Sequence, residues 1–217
     1  MYQPVIQQKG LNLDTAPLFD TVFFEVRTRC NAHCSFCAAS VENDTRADVS
    51  MTADLHDKVL RELAANGFHG RIAYHNNSEP LIFRDLHLFI ARARELLPAS
   101  PIQILSNGRS LTVQKAEALI EAGITELSIN YYNDNFTSQL PRVLHDVATI
   151  VLPKYFSPDD LEITGLGEDR RDPNPKFRYR ITRRLKNEKL DSRAGTAPNK
   201  RIPEGGPRGF CQFRGRN

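Results

Sequence analysis

Residues 27–40 read RTRCNAHCSFCAAS and place Cys30, Cys34 and Cys37 on one short stretch, spaced Cys-x3-Cys-x2-Cys. A structural zinc ion takes four closed ligands, and disulfides use cysteines in pairs. The chain has four cysteines, and the fourth, Cys211, lies near the far terminus. Three thiolates can instead hold three irons of a four-iron cube, leaving the fourth iron open to a molecule with its own donor atoms. Zinc is the competing assignment, with His33 or Cys211 as its fourth ligand, although His33 sits inside the loop where its reach to the same ion is strained. The bacterial ferredoxin pattern is spaced differently and ends in Cys-Pro, which is absent here. The spacing and the position after a strand favour the cluster.

Such a loop needs a rigid frame. Residues 21–29, TVFFEVRTR, alternate Val22, Phe24 and Val26 with Phe23, Glu25 and Arg27, the pattern of a strand at least partly covered on both faces. Ser50 or Thr52 can cap a helix whose Leu55, Val59, Leu60 and Leu63 share a face and which stops at Asn66-Gly67. RIAYH predicts a second strand, and a second helix carries Leu86, Phe89, Ile90, Ala93 and Leu97 before closing at Pro98. PIQILS is a third strand, residues 112–122 a helix ended by Gly123, and TELSINYY a fourth strand. Residues 136–152 read as a helix despite Pro141. PKYFSPDDLEITGLGEDRRDPNP is loop-like with weak strand potential, and KFRYRITRR is a fifth strand with Phe177, Tyr179 and Ile181 on one face. Repeated strand–helix units imply right-handed crossovers and a parallel sheet, an α/β fold. Five to six units make an incomplete parallel (β/α) barrel, short of the eight of a closed one. Ligands of such sheets bind at the strand C-termini, and the cysteines follow the first strand.

Composition sets the remaining limits. At 217 residues, with 40% hydrophobic and 25% charged residues, the chain suits one globular domain plus a tail. No uncharged apolar run approaches the ~18 residues of a membrane span. The N-terminus, MYQPVIQQKGLNLD, lacks the basic start and apolar core of a secretory signal. A cytoplasmic location follows as the expectation, where clustered cysteines suggest metal chemistry. The net charge of +3 conceals an uneven distribution, with 15 Lys and Arg against 6 Asp and Glu from residue 168 onward. That end lacks interleaved aromatics or a recognised motif, so it reads as a solvated tail, and nucleic acid is not an expected partner.

Cys30, Cys34, Phe36 and Cys37 together resemble the Cys-x3-Cys-x-aromatic-Cys signature of the radical SAM superfamily. The resemblance implies a [4Fe-4S] cluster on the three cysteines. Its open iron binds the amino and carboxylate groups of S-adenosylmethionine, and Phe36 packs near the adenine. Reductive cleavage then gives methionine and a 5′-deoxyadenosyl radical that abstracts a substrate hydrogen. HNNSEPLI, after the second strand, resembles the family's Gly-Gly-Glu-Pro element, with Asn77, Ser78, Glu79 and Pro80 in place to receive the cofactor's ammonium through backbone and carboxylate. Here Asn-Ser replaces two permissive glycines. ILSNGRSL resembles a Thr-Asn-Gly turn, with Ser106 as the conservative match, although Asn107-Gly108 suits any tight turn. LSINYY resembles the segment whose polar side chains, here Ser128 and Asn130, meet the ribose or carboxylate.

The resemblance covers roughly residues 20–200. It implies an N-terminal extension over 1–20, a core over 21–200 and a basic tail over 201–217. ITRRLKNEKLDSRAGTAPN is similar to the close of members that continue into a SPASM/twitch-type accessory domain, which is expected to be absent or truncated here. Arg178 and Arg180 alternate along the fifth strand and can pair with a carboxylate, but a solvated strand edge is the simpler account. The implied partners are a reductant such as flavodoxin or ferredoxin and an unidentified substrate, either a peptide or protein side chain or a carbohydrate-like small molecule. The implied activity is that of an oxidoreductase or transferase. A noncatalytic cluster-binding remnant and a zinc-containing nucleic-acid-binding module are the alternatives.

Overall fold

The computed structural model describes residues 19–34, 37, 39–132, 139–167 and 175–184. Six strands form one sheet: β1 (Thr21–Phe24), β2 (Arg71–Tyr74), β3 (Ile102–Ser106), β4 (Glu126–Tyr132), β5 (Leu161–Thr164) and β6 (Phe177–Arg184). The order is β1-β2-β3-β4-β6-β5, and every neighbouring pair is parallel. Helices α1 (Ala53–Ala65), α2 (Leu86–Leu96) and α3 (Val113–Glu121) cross between the first four strands, as a parallel sheet requires. This is the expected α/β incomplete barrel. It has one strand more than the five expected, because LEIT within the loop-like stretch forms β5 at the sheet edge.

Local chemistry sets the helix ends. The hydroxyls of Thr52 and Thr112 accept from the backbone N–H groups of Leu55 and Lys115, satisfying donors that a helix start leaves orphaned. Gly67 and Gly123 follow the two helices with positive φ, the usual way a helix stops. The predicted helix over 136–152 is α4 (Leu140–Asp146), a π-helical turn (Val147–Val151) and α5 (Leu152–Tyr155); residues 136–138 lie outside the described set. Pro141 sits in the first turn of α4, where its missing N–H costs nothing.

Parallel register gives the sheet two unlike faces. Ile72, Tyr74, Ile102, Ile104, Leu127, Ile129, Phe177 and Tyr179 point to one face and are almost completely buried with the apolar stripe of α2, which is Leu86, Phe89, Ile90 and Ala93. The other face carries Phe23, Gln103, Glu126, Ser128, Arg178 and Arg180, in register across the strands. Phe24 and Val26 on one face of the first strand segment are buried and Glu25 and Arg27 on the other are half-buried, so the expectation that both faces are at least partly covered holds except at Phe23, which is 53% exposed. No helix among the described residues is long and apolar enough to cross a membrane.

The α1 stripe departs from its expected form. Leu55 is exposed, and His56 is buried beside Leu60 instead. The imidazole stacks on Phe89, 4.3 Å between ring centroids, and its Nε2 lies 2.9 Å from the Tyr74 hydroxyl, which also reaches the Phe89 carbonyl. A hydrogen-bonded imidazole can therefore fill a core position that an alkyl side chain would otherwise take. Burial pushes the His56 pKa down to about 4, so the ring is neutral in the folded protein at pH 7. The unfolded chain binds this proton below about pH 6.5 and the folded chain only near 4. Stability present above pH 6.5 is thus lost as the pH falls towards 4, by on the order of 3 kcal/mol. The urea midpoint should fall across that window in the wild type and much less in His56→Phe; equal slopes would rule out His56 as the cause.

Candidate active site at the strand C-termini

Beyond β1 the chain runs out past Val26 and comes back beside it at Met51. Thr28 N–H donates to the Val49 carbonyl and Met51 N–H to the Val26 carbonyl, both at 2.9 Å, closing residues 28–49 into a loop. Inside it, Cys37 N–H donates to the Cys34 carbonyl and Val41 N–H to the Ala32 carbonyl, each at 3.0 Å. Ala32, Cys34, Ala39 and Ser40 are buried and anchor the loop, whereas Cys30 and Cys37 are half-buried. His33 is exposed and pairs with Glu42. Phe36 and Cys211 lie outside the described residues.

None of the three thiols is in a disulfide. Burial pushes the Cys30 thiol up, and the neighbouring Glu79 and Cys37 push it the same way. Positive iron reverses that balance, since coordination deprotonates a thiol outright. Among the described residues no three His, Cys, Asp or Glu side chains gather closely enough to hold a single metal ion. Thiolates that each serve a different iron of a cube need no such common point, so the donor set fits a cluster.

The loop after β2 packs beneath the cysteines. Asn76 has φ 153°, outside the regions that L residues favour. Asn77 is exposed, Ser78 half-buried, and Pro80 buried at the head of a short 3-10 turn (Pro80–Ile82). Glu79 is only 2% exposed. Its Oε1 accepts from Ser106 Oγ at 2.7 Å and from the Leu81 N–H at 3.0 Å, while Oε2 accepts from the Asn107 N–H at 2.8 Å. Its own N–H donates to the Arg29 carbonyl, next to Cys30. Burial pushes the carboxyl upward, and those three donors oppose the shift. Both carboxylate oxygens are thus engaged within the protein, leaving the backbone of Asn77 and Ser78 as the more accessible part of this loop.

The turn after β3 completes the unit. Gly108 has φ 78°, and a Cβ there would stand 2.8 Å from the Ile129 methyl, so only glycine fits. This turn aims Asn107 at the cysteine loop: its amide donates to Asn31 Oδ1 at 3.0 Å and to Cys30 Sγ at 3.6 Å. Asn31 in turn donates to Ser110 Oγ at 2.9 Å. Asn31 escaped the sequence reading, because one asparagine after a cysteine carries no distinctive signal. Asn107 read as ordinary turn chemistry.

Ser128 and Asn130 lie elsewhere on the polar sheet face. Ser128 is buried and donates to Glu126 Oε1 at 2.8 Å, an oxygen that also accepts from Gln103 at 2.7 Å. Asn130 stands further along β4, in register with Thr182 of β6. Arg178 and Arg180 both pair with Glu162, at 3.2 and 3.0 Å, and Arg180 approaches Glu126 at 3.9 Å. The expected solvated edge is therefore corrected: β6 lies between β4 and β5, and its arginines face carboxylates from both.

The Radical SAM superfamily model matches residues 24–137. The chain is similar to the S-adenosyl-L-methionine-dependent 2-deoxy-scyllo-inosamine dehydrogenase of Niallia circulans, 30% identical over 115 residues, which are 53% of this chain and 46% of that protein. Among solved structures it resembles BtrN in complex with AdoMet and 2-DOIA, with 28% identity and TM-score 0.55 over 61% of this chain and 53% of the other. BtrN in an open conformation is 31% identical, with TM-score 0.48 over 52% and 50% of the two chains. The chain spans about half the length of these relatives. The family match takes in the cysteine loop and the loops after β2 and β3 and extends over more than half of the sequence, so the chain belongs to the Radical SAM superfamily, whose cofactors are a [4Fe-4S] cluster and S-adenosylmethionine.

Proposed function

We propose that this chain acts as a radical S-adenosylmethionine enzyme, with Cys30, Cys34 and Cys37 as the cluster ligands. The observation that carries this reading is the hydrogen-bonded unit joining the cysteine loop to the loops after β2 and β3 at one end of a parallel sheet. When bound, the cluster and cofactor supply reductive cleavage to a 5′-deoxyadenosyl radical that abstracts a substrate hydrogen. The protein would bind and orient: Phe36 would serve the adenine, the Asn77 and Ser78 backbone would accept from the ammonium, and Pro80 fixes the turn. Glu79 and Ser106 hold the shape of that surface from below. Asn130, and Ser128 more remotely, serve the ribose or carboxylate.

The name of the Niallia circulans relative favours a small polar metabolite over a peptide, and dehydrogenation over group transfer. A reducing cytoplasm and a flavodoxin or ferredoxin as electron donor complete the proposal, with residues 21–200 as the catalytic core.

After anaerobic reconstitution and reduction with S-adenosylmethionine present, the wild type should release 5′-deoxyadenosine. The Cys30, Cys34, Cys37 to Ala triple variant should lose both this product and its iron. About one zinc and no sulfide per wild-type chain would sink the proposal. A second test separates the two roles open to Glu79. Glu79→Gln turns an amide N–H₂ towards donors that need an acceptor, so denaturant stability should drop by about 2 kcal/mol. Unchanged stability with lost cofactor binding would mean that the carboxylate serves the ligand directly.

A further inference from the structure

Arg46 lies on the returning arm of the cysteine loop, nine residues beyond Cys37, and matches nothing singled out in the sequence. Its guanidinium is nevertheless densely hydrogen-bonded. Nε and Nη2 form a fork on the two oxygens of Asp44 at 3.0 and 2.9 Å, and Nη1 donates to Glu25 Oε1 at 2.8 Å. Nη2 also donates to the Asn77 carbonyl at 2.6 Å and, more distantly, to the Thr28 carbonyl at 3.4 Å. One planar group thus ties the end of β1, both arms of the cysteine loop and the loop after β2.

We propose that Arg46 is a positioning residue for S-adenosylmethionine: it fixes the Asn77 peptide within the loop that would receive the cofactor's ammonium. The inference rests on the function proposed above. A charge-assisted hydrogen bond from Arg46 to the carbonyl oxygen sets the orientation of that peptide. A bare guanidinium beside an ammonium would repel it, but this one is balanced. Arg46 and Arg29 carry two positive charges, and Glu25 and Asp44 carry two negative ones, with Arg29 3.7 Å from Asp44. The Asp44 carboxylate is held below its usual range by Arg46, which keeps it ionised at neutral pH. The guanidinium thus sets the direction of the peptide while the carboxylates it pairs with offset its charge. A lysine cannot replace the fork, since a point charge on a flexible stem cannot span Asp44, Glu25 and Asn77 at once.

Two measurements on the full chain test this. Hydrogen exchange on the reconstituted protein should show the amides of 76–79 exchanging about tenfold faster in Arg46→Gln and Arg46→Lys than in the wild type, with β2 and β3 unchanged. Equilibrium binding of S-adenosylmethionine should weaken about tenfold in Arg46→Gln, at equal iron and sulfide per chain, because one charge-assisted contact is lost. Asp44→Asn, which releases the fork but keeps the arginine, should shift both readouts in the same direction. Unaltered exchange and affinity in a fully loaded Arg46→Gln would overturn the inference alone. Loss of iron from Arg46→Gln and Asp44→Asn together would make the pair a prop of the cysteine loop and would overturn the positioning role. A loaded wild type that fails to bind S-adenosylmethionine would overturn the proposed function, and this inference with it.

Discussion

A carboxylate can be buried only if donors surround it, and the arrangement at the strand C-termini follows from how Glu79 meets that condition. At 2% exposure it collects a hydroxyl and two backbone N–H groups, two of these three from the end of β3 and the turn that follows it. Its own N–H reaches back to the residue before Cys30. Three loops that are distant in sequence are thereby fixed relative to one another by one side chain and one peptide group. Asn107 inherits its aim from this arrangement, because the same peptide that donates to Glu79 carries the amide that reaches Asn31 and Cys30.

The polar face of the sheet divides by depth. Near the strand N-termini, Gln103, Glu126, Ser128, Glu162, Arg178 and Arg180 satisfy one another, so their charges cancel within the protein. At the opposite ends lie the cysteines, the exposed Asn77 and the half-buried Asn130. Parallel strands create this division, because they bring all their C-termini to one edge. Membership of the Radical SAM superfamily accounts for the cysteine spacing, whereas the arginine–carboxylate network pairs charges that the sheet leaves partly buried.

Arg46 and His56 illustrate a similar economy away from the cysteines. Neither is marked out by pattern, since Arg46 sits in a polar loop and His56 beside the apolar stripe of a helix. Each is retained by satisfying its polar atoms, Arg46 with carboxylates and carbonyls and His56 with a tyrosine hydroxyl and aromatic faces.

Periodicity and spacing are local properties, and the sequence by itself determined what depends on them. These are the strand–helix alternation, a helix cap at Ser50 or Thr52, the Leu86–Leu97 stripe, the parallel sheet and the three cysteines just after a strand. Tertiary structure decided what depends on partners far along the chain. LEIT became a strand only because β6 offered it an edge, since four residues are too few for a periodic signal. Arg178 and Arg180 showed alternation in sequence but not the carboxylates opposite, which come from β4 and β5. His56 displaced Leu55 from the core because Tyr74, 18 residues away, supplied a hydrogen-bond partner. Hydrogen bonds between loops leave no period in the chain, so the joining of Cys30, Glu79 and Asn107 appears only when the sheet brings their strand ends together.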